Sequence, residues 1–191
     1  MKIKNILKIA SIFINLEKEF KDIIEDGDVI VNEEIQAEFD VLLKALNLAY
    51  LGICDYVPIT RCKEIEVGPE GEILFSSIDE NIKEILKIKD AKFNKDVKYL
   101  ECEGCLVLKS KPQKISILYS AYPETLTSQS EFNFFNGKVS EKCFALAVAA
   151  EYFYIKAFYD EAEMYDKRFK DILRIETRRK TPVFIPKRRW K

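Results

Sequence analysis

The chain has 191 residues, 48% hydrophobic and 33% charged, with a net charge of −1 and no histidine. This composition excludes general disorder, and the longest strongly apolar stretch, 143–158, is broken by Glu151 and Lys156, which argues against a bilayer-spanning helix. Without histidine the commonest general base, the usual catalytic zinc ligand and the Ser/His and Cys/His nucleophile pairs are all missing, so an enzyme is not expected.

Five cysteines, an odd number, fit a reducing compartment. The N-terminus is basic and apolar, but its apolar positions are periodic instead of continuous, which predicts a mature helix and not a signal peptide. Ile6, Ile9, Phe13, Leu16, Phe20 and Ile23 advance by steps of three and four, so one helix is expected from about Lys4 to Ile24. After a turn at 25–28, Asn32 caps a second helix with the stripe Ile35, Phe39, Leu42, Leu46, Ala49 and Ile53. Residues 1–58 thus read as an antiparallel helical hairpin.

From 59 to 124 the pattern changes to short runs of period two, at 64–67, 72–75, 84–89, 96–101, 105–110 and 114–122, with turn residues between them. They predict a small antiparallel sheet or sandwich inserted between helical parts. Ser140 caps a third helix that is apolar on both faces, so Phe144, Val148, Tyr152 and Ile155 are expected in a bundle core or a subunit interface. Asp160 begins or continues a last helix, apolar on one side through Ala162, Tyr165, Phe169 and Ile172. The helical pair within 125–175 would complete a four-helix bundle with the N-terminal hairpin. Residues 176–191 are expected to be an extended basic arm, because Pro182 and Pro186 disfavour helix and central strand. The expected fold class is α+β.

The sharpest local motif is Cys102-Glu103-Gly104-Cys105. It could be half of a thiolate zinc site or a redox pair, but Glu103-Gly104 between two strand-like runs is what a tight hairpin wants, and the plain hairpin is the better reading. The carboxylate-rich segments fall on polar helix faces or helix ends, and no glycine-rich phosphate loop exists. No cofactor or metal is expected. Phe132, Phe134 and Phe135 have no basic residue interleaved, so packing explains them better than base stacking.

Charge is segregated along the chain. From Arg174 to Lys191 eight cations face Glu176 alone, a net +7, which leaves −8 on the remainder. Arg and Lys here could neutralise phosphates while Trp190 stacks on bases. A docking arm accounts for more, because Val183, Phe184, Ile185 and Trp190 can bury in a neighbour while the arginines pair with acidic surfaces. A solubilising tail leaves those apolar residues unexplained.

Three groups of residues carry a resemblance: Asp55, Tyr56 and Pro58 in DYVP; Ser140, Glu141, Ala149, Ala150, Glu151 and Tyr152 in VSEKCFALAVAAEY; and Pro186, Arg188, Arg189 and Trp190 in IPKRRW. Through them, from about Asp40 to the C-terminus, the sequence resembles the head-to-tail connector (adaptor or neck) proteins of tailed bacteriophages, of the Firmicutes-phage type. The resemblance implies a structural virion protein that forms a ring, commonly of about twelve subunits, between the portal and the next neck or tail component. Implied partners are the portal protein, copies of the chain itself, the next neck or tail protein, and viral DNA passing without sequence specificity, with no membrane. The implied location is the virion neck, after assembly in the bacterial host cytoplasm. Phe184, Ile185, Pro186, Lys187, Arg188, Arg189 and Trp190 would then dock on the portal or a neighbouring subunit. The alternatives are another tail or neck structural protein, or a DNA-binding protein using the arm.

Overall fold

The apolar stripe that starts near the N-terminus does not continue as one helix. In the computed structural model, which describes residues 2–26, 32–110, 112–131 and 139–178, α1 (Ile3–Phe13) and α2 (Glu17–Asp26) are separate helices. Asn15 adopts a left-handed conformation with φ 60°, and the amides of Leu16 and Asn15 donate back to the carbonyls of Ser11 and Ile12 at 2.9 and 3.2 Å. This is a Schellman cap, and asparagine tolerates its left-handed position better than most residues. α2 folds back along α1, with Lys8 and Glu25 paired at 2.9 Å. The expected single helix is therefore corrected to two: the short link preserves the spacing of three and four, so the periodicity conceals the reversal.

α3 (Glu33–Tyr56) starts where the sequence placed its cap, with Asn32 Oδ1 accepting from the Glu34 amide at 3.2 Å. Six strands follow, β1 (Ile59–Glu66), β2 (Glu72–Leu74), β3 (Ile82–Asp90), β4 (Tyr99–Cys102), β5 (Cys105–Leu108) and β6 (Lys114–Ala121), with the one-turn helix α4 (Phe75–Ile78) after β2. They form two three-stranded antiparallel sheets, β1-β6-β3 and β2-β5-β4. β6 is central in the first, pairing Ile59 with Ala121 through Glu66 with Lys114, and it sends Ile115, Ile117 and Tyr119 into the core. β3 joins the other side of β6 with two register shifts. In the second sheet Cys102 pairs with Cys105 across a two-residue turn, and Gly104 there has φ 82°, a value that needs no Cβ.

The last helices are α5 (Glu141–Ile155) and α6 (Tyr159–Thr177). Ser140 Oγ caps α5 by accepting from the Cys143 amide at 3.1 Å, and the Glu176 carboxylate of α6 accepts from the Ser140 amide at 2.9 Å. Every residue of α5 from Cys143 to Ala150 is buried, with α1, α3 and α6 packed around it. Ala145, Ala147, Ala149 and Ala150 keep α5 slim enough for three neighbours to approach. The chain is thus a mixed α+β fold, and among the described residues no helix is long and apolar enough to cross a membrane.

α5 ends in a second Schellman cap. The amides of Phe158 and Ala157 donate to the carbonyls of Phe153 and Tyr154 at 2.9 and 3.1 Å, with Ala157 at φ 60°. A Cβ in that region is costly, while glycine there raises the entropy of the unfolded chain. The steric term is the larger, so Ala157→Gly is expected to stabilise the protein by about 0.5–1 kcal/mol, seen as a higher midpoint in thermal unfolding.

Candidate interaction surfaces

Three contacts establish which helix ends meet. The Asn5 side-chain amide donates to Glu141, the Tyr165 hydroxyl donates to the Phe13 carbonyl at 2.9 Å, and Glu38 accepts from Tyr152 and Lys156. α1 and α5 therefore run parallel and finish together, at the end where α2, α3 and α6 begin. At that end Phe13, Tyr165, Phe153 and Phe158 make successive ring contacts at 5.7, 5.5 and 6.4 Å. The series runs from half-buried rings packed against the core to the surface, where Phe158 and Tyr159 are 55% and 62% exposed beside Tyr154 and Ile155.

The helix starts at this end are acidic. α2 opens with Glu17 and Glu19, α3 with Glu33 and Glu34, and α6 with Asp160 and Glu161. Carboxylates are favoured there because helix N-termini carry the positive end of the macrodipole. Glu38 belongs to the framework: burial pushes its carboxyl up, but hydrogen bonds from Lys156 and Tyr152 outweigh that and hold it below the usual value. It pins the start of α3 to the end of α5.

Glu151 is different. It is half-buried on α5, one turn before Tyr154 and Ile155, and among the described residues it forms no hydrogen bond or ion pair. Burial, then the charge of Asp166, pushes its carboxyl above the usual value. A raised folded pKa means the folded chain binds this proton more tightly than the unfolded chain, so ionised Glu151 costs stability, and the cost fades as pH falls through the folded value and is gone below the unfolded one. Glu151→Gln is expected to raise the melting temperature near pH 7, with an advantage that shrinks toward pH 4, measured by calorimetry at both pH values.

A second apolar surface lies on the outer face of α3, in the half remote from that end, where Leu48, Leu51 and Tyr56 are exposed. On the sheet side, an open groove of about 610 Å³ runs past Arg61, Lys63, Asp79 and Tyr119. These four side chains are held within the fold: Asp79 accepts from Arg61, Tyr119 and the Asn81 amide, and Lys63 donates to the carbonyls of Ser77 and Ile78. The groove is a brace between strands and α4.

Of the residues singled out in the sequence, Phe144, Val148 and Tyr152 are buried by this chain's own helices, whereas Ile155 projects at the aromatic end. The arm residues Phe184, Ile185, Pro186, Lys187, Arg188, Arg189 and Trp190, and the cluster Phe132, Phe134 and Phe135, lie outside the described residues. Cys102 and Cys105 are reduced neighbours on the hairpin, and burial pushes the Cys105 thiol up. Among the described residues no group of three or more His, Cys, Asp or Glu is arranged to hold a metal ion. Sequence reasoning missed Phe158, Tyr159 and Glu151 as surface features; the one available signal was the density of aromatics in EYFYIKAFY. The chain matches no protein-family model, and a search of curated proteins finds no significant relative.

Proposed function

We propose that this chain is a structural subunit of a ring, a head-to-tail connector of the tailed-phage type, whose body is a four-helix bundle of α1, α3, α5 and α6. The observation that carries this reading is the presence of two unlike apolar surfaces on one subunit, the aromatic end at Phe158 and Tyr159 and the outer face of α3 at Leu48 and Leu51. Two unlike patches let one subunit meet two different partners at once, which rings and filaments require and a closed dimer through one self-complementary patch does not. The charge segregation supports it, since the +7 C-terminal stretch and the −8 remainder are complementary between copies and toward a partner. The motif residues also have work in the fold: Ser140 caps α5, and Ala149 and Ala150 keep it slim. In this role the protein completes a channel beneath the portal, lets DNA pass and offers a surface to the next neck or tail component. No turnover is involved.

Removing residues 180–191 is expected to leave far-UV circular dichroism and melting temperature unchanged while abolishing incorporation into particles. A truncated chain that still enters normal particles overturns the proposal. The +7 stretch also favours a second reading, DNA binding by the arm. That reading requires affinity to fall linearly with log salt, with a slope of about −0.9 per phosphate contacted on duplex DNA.

A further inference from the structure

The aromatic end and Arg178, the last described residue before the C-terminal arm, lie at opposite ends of the helical part. α6 starts at Tyr159 beside Phe158 and finishes at Thr177, where Glu176 holds Ser140 at the other end of α5. Its 19 residues put about 28 Å between the two. We infer that the acidic, aromatic surface formed by Glu151, Tyr154, Ile155, Phe158 and Tyr159 is the receptor for the C-terminal arm of a second copy of this chain. The inference rests on the reading of the arm as an assembly hook and names the surface it hooks.

Chemistry matches on both sides. Residues 179–191 carry six cations and no acid, with Val183, Phe184, Ile185 and Trp190 among them. The receptor offers exposed aromatic and aliphatic side chains, Asp160 and Glu161 at the rim, and Glu151 half-buried without a cation. A guanidinium set over such a carboxylate forms a charge-assisted pair where water is partly excluded, which is worth more than a pair at an open surface. Trp and Arg are also the residue types that most often dominate binding energy at an interface.

Reach selects the second copy over the chain's own arm. The thirteen residues from 179 to 191 span at most about 43 Å when drawn out. To return to its own aromatic end the arm must first reverse, which consumes about four residues and leaves roughly 30 Å for the journey along α6. Only the last residues would arrive, and Phe184 and Ile185 would be stranded on the α6 face that exposes Glu163, Lys167, Asp171 and Arg174. An arm from another copy needs no reversal where subunits follow head to tail, with the neighbour's aromatic end facing Arg178. Because donor and receptor are different surfaces, each subunit can give one arm and accept one, and the contact repeats around a ring.

The test is photo-crosslinking of the full chain with p-benzoylphenylalanine in place of Trp190, using an equal mixture of ordinary and ¹⁵N-labelled protein. The expected result is a covalent dimer containing light–heavy pairs, attached between residues 151 and 161. Phe158→Ser and Glu161→Lys should each lower the dimer yield about tenfold, and Leu51→Ser should leave it unchanged. Glu161 is at the surface, so that variant stays informative if Phe158→Ser unfolds. Attachment only within one chain, attachment elsewhere, or no dimer overturns the inference. If truncation of the arm blocks particle assembly while Trp190 fails to reach this surface, the hook reading survives and this receptor does not. If truncation leaves assembly intact, the hook reading itself fails.

Discussion

Phe144→Ala is expected to lower the free energy of unfolding by about 3–5 kcal/mol, a large share of the 5–15 kcal/mol by which domains of this size are stable. The ring is wholly buried one turn into α5 and lies against Tyr50 of α3, with centroids 6.2 Å apart and planes at 23°. Truncation removes that contact and leaves a void that cannot close, because α1, α3 and α6 already surround the slim face of α5. Urea unfolding should show a lower midpoint with an unchanged slope. Phe144→Leu, which refills part of the void, should cost much less.

Asp79→Ala should be the next most damaging, at about 2–3 kcal/mol, although the residue sits in a short link between α4 and β3. Its Oδ2 accepts from Arg61 at 3.0 Å and from the Tyr119 hydroxyl at 2.8 Å, and its Oδ1 accepts from the Asn81 amide at 3.0 Å. One carboxylate therefore ties β1, β6 and the entry to β3 together. Its removal leaves the Tyr119 hydroxyl without this acceptor in a ring that is only 4% exposed, while Arg61 keeps Glu124. The Asn81 amide, then Tyr119 and Arg61, hold the Asp79 carboxyl below its usual value. A lowered folded pKa adds stability that is present above the unfolded value and lost as pH falls through the folded one. The difference between wild type and Asp79→Ala should accordingly narrow below about pH 3.5, as followed by denaturant titration across the acid range. Asp79→Asn keeps one acceptor and should lose roughly half as much.

What the sequence reveals and what it hides follow from the range of the interactions involved. The six strands show as short runs bounded by turn residues, and the Glu103-Gly104 hairpin shows because a two-residue turn makes a local demand. Ser140 is legible for the same reason. The break at Asn15 is hidden, since its three-residue link preserves the phase of the stripe. β1 begins at Ile59, earlier than its alternation suggests, because Thr60 to Lys63 are held by backbone pairing to β6 and carry no apolar signature. The division into two sheets is set by which strands meet, which no local pattern encodes. The aromatic end is hidden for that reason too: Phe13 and Tyr165 are 152 residues apart in their hydrogen bond. Glu151 reads as an ordinary polar position until α6 brings Asp166 beside it.

The parallel docking of α1 on α5 has a consequence for synthesis. Ile3, Ile6, Leu7 and Ala10 are buried in the finished protein, yet α5, against which α1 packs, begins at Glu141. A ribosome takes on the order of ten seconds or more to make the intervening chain. During that interval the first three helices lack their central partner, and β1 waits for β6. The molecule must close from its last third backwards. Nascent chains arrested before Val139 should therefore recruit chaperones and yield to protease, and release of the complete chain should restore protection in one cooperative step.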